Sequence, residues 1–459
     1  MADIIKEAGR EIPVIKRAHV LVVGGGTAGV PAAIAAARRG KKTVLVEQLA
    51  FLGGTATAGL VTPLMHNNIK GNPSPSGINS EIIARLLDCN AAAVDSSGND
   101  GWFDPVYLAF VLEQMALEAG VDILFNSFFC SAICDGGVIK GIVVENKGGR
   151  GAILAERVID ATGDADVAFR CGAPFASGRP GNGINQPTSL RFEMGGIDFD
   201  KFCRFLESLG QKGEMSPPFF HTAMVWGRKW ALEPIFRQAV EAGDLEERDG
   251  NYFQAFGIPG KPGCVSFNCP EIEPEADVTR PDYQSHALVD GRRAILRLVC
   301  FMKKYFAGFE NAWLMHGAAM LGVRESRRIV GEYVLTSRDI LTYTKFEDAI
   351  ARSNYPVDVH GAQVECGEFE IPIVPEGERY FEIPYRCLVP KGVENLLVAG
   401  RSFSSDYVGQ SSPRVQPSCR AFGEAAGIAA ALSMEMGINP RALDGRKVRA
   451  IMKEAGAYL

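Results

Sequence analysis

Residues 19–47 read HVLVVGGGTAGVPAAIAAARRGKKTVLVE, and this stretch decides the fold. A β-rich run, residues 19–23, stops at three consecutive glycines, and an alanine-rich segment then continues to Gly40. The pattern predicts a strand, a tight turn and a helix that ends at a capping glycine. Residues 42–47 predict a second strand. A strand, a helix and a strand in this order form the unit of a parallel α/β sheet.

The uncharged run from Val20 to Ala37 has nearly the length of a membrane span. Four glycines, a threonine and a proline fall within its first twelve positions, and the flanking charges are mixed. Such a segment would make a poor lipid-facing helix. We therefore expect no membrane partner.

The composition is typical of a folded globular protein, since 47% of the 459 residues are hydrophobic and 22% are charged. Lys and Arg number 48 against 54 Asp and Glu, so the formal net charge is −6 and a nucleic-acid partner is not expected. The 11 cysteines include no CxxC pair and the histidines form no HExxH motif, so we predict no metal site. Scattered cysteines without a signal peptide favour a cytoplasmic location with reduced thiols. The sequence leaves a homo-oligomer open.

The residue composition changes after Gly172, with more Phe, Pro and Arg. We predict a first domain over residues 1–172, with a small insertion at about 67–100, and its final part over 380–459. Residues 173–379 are predicted to form an inserted α+β substrate or cap domain. Its predicted helices are at about 199–209, 229–242, 282–306 and 326–335.

The first domain is predicted to be Rossmann-like, with a β-meander added to the parallel strands. The β runs 137–145 and 152–155, separated by glycines, predict part of that meander, which leads into a buried strand ending at residues 158–163. A helix is predicted over residues 105–119, and an Ala-rich helix from about Pro417 to Met434. The fold class is therefore α/β with an inserted α+β domain.

Gly24, Gly26 and Gly29 form a G-x-G-x-x-G motif between a strand and a helix, the context that gives this motif its meaning. The first glycine allows the turn, the second admits a pyrophosphate against the backbone, and the third lets the helix pack closely on the strand. Glu47 ends the second strand, where an acid would bind the ribose hydroxyls. The alternative is a glycine-rich turn in an ordinary α/β core with Glu47 simply solvated.

A second loop of small residues, Gly53 to Gly59, indicates a cofactor larger than NAD. At these motifs the sequence resembles the FAD-dependent oxidoreductases of the broad fumarate reductase and glutathione reductase superfamily, and more narrowly the family called FAD-dependent oxidoreductase. The resemblance covers nearly the whole chain. It rests on residues 24–29 with Glu47, 53–59, 161–164, 322–328, and 399–401 with 414–417.

The resemblance implies FAD as cofactor and gives each motif a role. Residues 53–57 would line the pyrophosphate and the flavin edge, and Phe129 would offer its backbone to the adenine. Residues 161–163 would close the adenosine side, and residues 400–401 would contact the ribityl chain. The predicted cofactor-binding set is Gly24, Gly26, Thr27, Ala28, Gly29, Glu47, Gln48, Gly53, Gly54, Thr55, Ala56, Thr57, Phe129, Ala161, Thr162, Gly163, Gly400, Arg401, Arg414, Val415 and Gln416.

The helix predicted to begin near Pro417 presents unpaired N–H groups and a positive dipole end. That end suits a group that becomes anionic, as the flavin does at N1 and the C2 carbonyl on reduction. Val415 and Gln416 are candidates for stabilising this charge, with Arg414 close by. The alternative is that Arg414 belongs to a surface ion pair.

The electron donor is predicted to be a small organic substrate that passes a hydride to flavin N5, with an unknown electron acceptor. The loop after Glu47 contains no dithiol, and the Cys264 and Cys269 pair lies in the predicted insertion. A second dinucleotide motif that would hold NADH is also missing from the sequence. Three alternatives remain: an NAD(P)H-driven flavin reductase, a flavin-containing RNA-binding or RNA-modifying protein, and a subunit that uses FAD only to relay electrons to an iron-sulfur partner.

Arg191 and Arg324 are predicted to hold this substrate in the cleft between the domains, because guanidinium groups bind carboxylate, phosphate or hydroxyl-rich molecules. Arg324 is expected to open a helix together with Arg327 and Arg328. The alternative is that these arginines pair with Glu325, Glu332 and Asp339 and fasten the cap.

Tyr407 is the predicted acid or base. The family pattern places a histidine between the Gly400 strand end and the Arg414 segment, where this chain has Asp406 and Tyr407. This departure puts any family-based assignment of the base in doubt, and His66 and His316 are the next candidates.

Overall fold

The computed structural model describes Ile5, Gly9 and residues 11–211, 223–226, 230–361 and 371–459. The first residue of the helix predicted at 229–242 lies outside these residues. The strands are β1 (Val14–Val23), β2 (Thr43–Val46), β3 (Ala92–Ala93), β4 (Trp102–Phe103), β5 (Asp122–Leu124), β6 (Phe128–Asp135), β7 (Val138–Asn146), β8 (Gly149–Asp160), β9 (Phe175–Ala176), β10 (Thr188–Ser189), β11 (Phe192–Gly195), β12 (Ala223–Trp226), β13 (Tyr252–Gly257), β14 (Val265–Phe267), β15 (Glu271–Ile272), β16 (Trp313–Gly317), β17 (Arg328–Ile329), β18 (Ala349–Ser353), β19 (Phe381–Pro384) and β20 (Leu396–Val398). The helices are α1 (Gly29–Arg38), α2 (Gly77–Asp88), α3 (Pro105–Glu118), α4 (Asp166–Arg170), α5 (Phe199–Ser208), α6 (Glu233–Glu241), α7 (Pro281–Tyr305), α8 (Ser337–Leu341), α9 (Tyr407–Ser411), α10 (Gln416–Glu435) and α11 (Gly445–Glu454).

A seven-stranded sheet forms the first layer, with the order β5-β2-β1-β8-β7-β6 and β20 beside β8. β5, β2, β1, β8 and β20 pair in parallel, whereas β6, β7 and β8 form an antiparallel meander. The Rossmann-like α/β core with a β-meander is therefore confirmed. The two runs predicted before and after residue 156 are one strand, β8, which serves both the meander and the parallel part of the sheet.

Helices α1 and α10 lie against each other with almost no side-chain layer between them. A Cβ atom on Gly423 would lie 1.9 Å from the carbonyl oxygen of Ala28, and one on Gly427 would lie 2.2 Å from that of Ala32. Both helices are rich in buried alanine and glycine, which allows this backbone approach. The contact places the N-termini of the two helices near each other.

A second sheet, of order β12-β13-β14-β11-β16, comes from the region predicted as an insertion. It has its own apolar core with helices α5, α6 and α7, in which Phe192 and Phe267 stack with ring centroids 4.7 Å apart. The predicted boundary at residue 379 falls later than the change in packing, because Leu335, Ile340 and Ile350 belong to the core of the first sheet.

The prediction of a helix over residues 326–335 is wrong. Arg328 and Ile329 form strand β17, which pairs with β9, and bends follow. The extended chain sends neighbouring side chains to different partners, since Arg327 binds Asp166 while Arg328 binds Glu325. Within the described residues no helix is both long and apolar enough to cross a membrane.

The α1–α10 contact leads to a prediction. Gly423→Ala should lower the free energy of unfolding by about 1 to 3 kcal/mol, the usual cost of overpacking a close-packed interior. Gly377→Ala is the control, because its Cβ would have no neighbour within 4 Å. Chemical denaturation of both variants measures the difference, and equal stability would contradict the contact.

Candidate cofactor and active site

A cavity of about 700 Å³ lies at the carboxyl ends of the parallel strands, between the two sheets. This edge of an open parallel sheet is where α/β proteins bind their ligands. One end is lined by residues after β1, β2 and β8, and the other by side chains from the second sheet and from loops near residues 324 and 358.

The glycines of the G-x-G-x-x-G motif have different reasons to be glycine. Gly24 has φ +98°, and a Cβ on Gly29 would lie 1.7 Å from the carbonyl oxygen of Gly24, so the turn itself excludes a side chain at both positions. A Cβ on Gly26 would meet no protein atom closer than the Cα of Gly54, 3.8 Å away. Gly26 therefore leaves open a space that faces the cavity, and a pyrophosphate fits this space.

Glu47 is only 6% exposed and lines the cavity just after β2. Its Oε2 accepts a hydrogen bond from the N–H of Gly25 at 2.6 Å, and its Oε1 accepts one from the N–H of Leu49 at 2.8 Å. Burial raises the pKa of Glu47, and these backbone bonds oppose that rise. The carboxylate is thus held in place, with lone pairs left for ribose hydroxyls.

Most of the predicted cofactor residues line the cavity, but Gly29, Gly53, Ala56 and Thr57 do not. The lining members are Gly24, Gly26, Thr27, Ala28, Glu47, Gln48, Gly54, Thr55, Phe129, Ala161, Thr162, Gly163, Gly400, Arg401, Arg414, Val415 and Gln416. Thr57 instead supports its own loop, because its hydroxyl donates to the carbonyl of Leu52 at 2.7 Å.

The Arg401 side chain binds protein groups. Nε donates to the carbonyl of Gly163 at 2.6 Å, Nη2 to Asp164 at 2.6 Å, and Nη1 to the carbonyl of Val323. Arg401 therefore joins three loops at the cavity, and a contact to a ribityl chain would have to come from the backbone at residues 400–401.

The N-terminus of α10 faces the cavity, as predicted from Pro417. Val415, Gln416 and Cys419 line it, and no side chain caps the helix. The side-chain Nε2 of Gln416 donates to the carbonyl of Val61 at 2.6 Å. The backbone N–H of Gln416 is in the first turn of the helix, where N–H groups have no partner within the helix. This 20-residue helix brings its positive dipole end to the cavity wall.

Arg414 forms an ion pair, as its alternative interpretation expected, but at the cavity wall. Its partner is Asp358, at 3.0 Å, and both side chains are partly buried. Burial lowers the pKa of Arg414, and the charge of Asp358 opposes that effect.

The structure brings Arg191 and Arg324 to the same end of the cavity. Arg191 is 3% exposed, donates from Nη2 to the carbonyl of Thr62 at 2.8 Å and lies over the ring of Phe256. Burial lowers its pKa to about 10, so it remains protonated at neutral pH. Arg324 forms an ion pair with Glu271 at 3.0 Å.

His360 is the residue that the sequence analysis missed. It is 5% exposed and lines the cavity. Its Nδ1 lies 2.7 Å from Oε1 of Glu271, and its Nε2 lies 3.2 Å from Oδ1 of Asp358. A continuous chain of charged groups thus runs from Arg324 through these three residues to Arg414.

The only sequence signal for this chain is the alternating polar segment YPVDVH at residues 355–360. Glu271, 89 residues away from His360, carries no motif that would link the two. No local pattern joins them, because Glu271 lies on β15 and His360 follows β18, two strands of different sheets that meet only in the folded chain.

Tyr407 does not line the cavity, which corrects its predicted role. Asp406 caps helix α9, and the Tyr407 side chain is buried with its ring 5.6 Å from the guanidinium of Arg328. Burial raises the pKa of Tyr407. A substrate in the cavity would not contact its hydroxyl.

The other candidates are placed away from the cavity or engaged elsewhere. Arg328 pairs with Glu325, as the structural alternative proposed. His316 is 43% exposed in its side chain and faces a buried glutamate, and His66 contacts Asn354 at 2.9 Å. Neither histidine lines the cavity. Among the described residues, no cluster of side chains could hold a metal ion.

The open space at Gly26 leads to a prediction. Gly26→Ala should leave the stability of the cofactor-free protein unchanged and weaken FAD binding by about tenfold or more, equal to about 1.4 kcal/mol. Gly29→Ala, the matched variant, should destabilise the cofactor-free protein itself. Thermal melts without FAD and fluorescence titration with FAD separate the two effects. A cofactor-free Gly26→Ala protein as unstable as Gly29→Ala would contradict the assignment.

Solved structures with a similar fold are distant in sequence. A geranylgeranyl bacteriochlorophyll reductase-like protein from Thermoplasma acidophilum is 13% identical, with a TM-score of 0.47 over 96% of this chain and 84% of that chain. A p-nitrophenol 4-monooxygenase from Pseudomonas putida is 13% identical, with a TM-score of 0.47 over 97% and 87%. A glycerol-3-phosphate dehydrogenase from Bacillus halodurans, complexed with FAD, is 14% identical, with a TM-score of 0.39 over 68% and 58%. Structural similarity at these identities and TM-scores does not assign a reaction to this chain.

No curated protein matches this sequence. The family model described as FAD dependent oxidoreductase, however, matches residues 19–452. That range contains the strand-turn-helix unit, the second sheet and helix α10, so both ends of the cavity lie within it. The chain therefore belongs to the FAD-dependent oxidoreductase family, and FAD is its cofactor.

Proposed function

We propose that this enzyme oxidises a small organic anion, which binds at the arginine-lined end of the cavity and gives up a hydride. The observation that carries the proposal is the convergence of Arg191, Arg414 and the Arg324–Glu271–His360 chain on the cavity that also holds Gly26 and Glu47. FAD, when bound, accepts the hydride at N5. The protein's own part is to bind the anion, orient it and hold a proton.

The charges at this end leave room for one negative group. Burial tends to raise the pKa of Glu271, but the charge of Arg324 and the hydrogen bond from His360 hold it below its ordinary value. Asp358 is likewise buried, yet His360 and Arg414 lower its pKa well below the usual range. The two carboxylates therefore face three guanidinium groups and the imidazole of His360. A substrate carboxylate would complete the balance of charge.

Arg191 and Arg414 each have donors left for such an anion. Among the described residues, Arg191 and Arg414 form hydrogen bonds only through Nη2. A buried cation with unused N–H groups is costly unless an acceptor arrives, and a carboxylate supplies two oxygens in the required fork geometry. A neutral substrate would leave this cost uncompensated.

His360 is the group we assign to the substrate proton. The shorter contact, from Nδ1 to Glu271, fixes the ring, and the longer one, from Nε2 to Asp358, is the contact that a substrate O–H or N–H would replace. Burial raises the pKa of Tyr252 and of Tyr355, so these phenols stay protonated at neutral pH and do not act as bases. We therefore assign the substrate proton to Nε2 of His360, in the neutral ring that donates only from Nδ1 to Glu271.

An anaerobic screen of the FAD-loaded enzyme tests the function. Small 2-hydroxy and 2-amino acids should bleach the visible flavin band, and their neutral amides or alcohols should bleach it at least about tenfold more slowly, the effect of losing about 1.4 kcal/mol. NADH and NADPH should reduce the flavin slowly, because no second dinucleotide motif is present in the sequence. Rapid stoichiometric bleaching by NADH would favour the reductase alternative, and faster bleaching by the neutral analogues would refute an anionic substrate.

His360→Asn should slow flavin reduction by the substrate by about two to four orders of magnitude, the usual effect of a lost acid or base. The FAD content and visible spectrum should stay unchanged, because His360 lies at the other end of the cavity from Glu47. His66→Asn is the matched control, since His66 does not line the cavity. Stopped-flow reduction measures both, and an unaltered rate in His360→Asn would remove this residue from the mechanism.

A further inference from the structure

We propose that Cys134 and Cys171 form a reversible disulfide that closes the adenosine end of the cofactor cavity. Cys134 lies near the end of β6, and Cys171 directly follows helix α4. Their Sγ atoms are 2.7 Å apart although the residues are 37 positions apart in sequence. Small side-chain rotations would bring the sulfurs to the disulfide distance of about 2.05 Å.

This pair differs from the other cysteines that the structure describes. Cys89 and Cys300 are exposed, and neither contacts a second sulfur among those residues. Cys264 and Cys269, which the sequence analysis considered as a redox pair, do not contact each other through sulfur, and Cys269 is fully buried. In Cys134 and Cys171, therefore, two sulfur atoms lie close together and one of the two residues is exposed to solvent.

The surroundings give the two thiols different roles. Cys134 is exposed, so a small molecule in solution can reach its sulfur. Cys171 is partly buried, and burial together with the neighbouring sulfur raises its pKa. Cys134 is thus the thiol that reacts first, and Cys171 is the thiol that resolves the product.

The oxidant is a small-molecule disulfide such as glutathione disulfide, and the exchange balances. The Cys134 thiolate attacks one sulfur of the oxidant, one glutathione leaves as a thiolate, and a mixed disulfide forms. Cys171 then loses its proton to water and attacks the Cys134 sulfur, and the second glutathione leaves. The two cysteines lose two electrons and two protons, and the oxidant becomes two thiols.

The crosslink would join two walls of the cavity. The start of β6 lines the cavity with Phe129 and Cys130, and α4 lines it with Asp166 and Arg170. These elements line the same cavity as Glu47, and neither cysteine contacts the proposed proton acceptor, so the pair is independent of the proposed reaction. Tying β6 to α4 restricts their separation, and we expect the oxidised enzyme to release FAD more slowly.

The first test treats the FAD-loaded enzyme with glutathione disulfide and then alkylates the remaining thiols. Mass spectrometry should find a peptide pair joined through Cys134 and Cys171, lighter by two hydrogens than the reduced peptides. Cys171→Ser should instead accumulate a glutathione adduct on Cys134, and Cys300→Ser should behave like the unmodified protein. Complete alkylation of Cys134 and Cys171 after oxidation would overturn the proposal.

The second test compares the rate of FAD release before and after oxidation, by the rise of flavin fluorescence on dilution. The oxidised enzyme should release FAD several-fold more slowly, and a reducing dithiol should restore the original rate. Cys134→Ser should show one rate under both conditions. Equal rates in the oxidised and reduced enzyme would overturn the proposed effect on the cofactor.

Discussion

The contact between Gly29 and the carbonyl oxygen of Gly24 is the constraint on which the rest of the site depends. A Cβ at Gly29 would lie 1.7 Å from that oxygen, so only glycine lets helix α1 begin against the turn that follows β1. Helix α10 then lies on α1 through Gly423, against the backbone of Ala28. Two helix N-termini are thereby brought to one cavity, where their unpaired N–H groups favour negative charge.

The two ends of the cavity achieve binding in different ways. The cofactor end consists largely of backbone, and Glu47, a buried carboxylate there, is held by the N–H groups of Gly25 and Leu49. The substrate end consists of charged side chains from distant segments. Burying these charges would be costly for each alone, and pairing Arg324 with Glu271 and Arg414 with Asp358 offsets part of that cost. The desolvation cost that these ion pairs do not offset falls on the arginines, and an anion bound at this end would reduce it.

Two short two-stranded sheets, β10-β15 and β18-β19, matter for function because they carry or precede the polar groups of the cavity wall. β15 carries Glu271, and the loop after β18 carries Asp358 and His360. β17 replaces the expected helix, and in its extended chain Arg327 binds Asp166 whereas Arg328 binds Glu325. The loop after β18 is joined to the segment just before α10 by the ion pair between Asp358 and Arg414.

The sequence by itself determined the strand-turn-helix unit, the place of Glu47, the start of α10 and the FAD family. These features depend on backbone sterics and periodicity among neighbouring residues, which a single sequence displays directly. Only the tertiary structure decided that β8 is one strand, that residues 326–335 are not a helix, and that Tyr407 is buried beside Arg328. It also decided that His360 stands between Glu271 and Asp358. The physical reason is that these outcomes arise from packing and charge pairing between segments far apart in the chain, which no local pattern records.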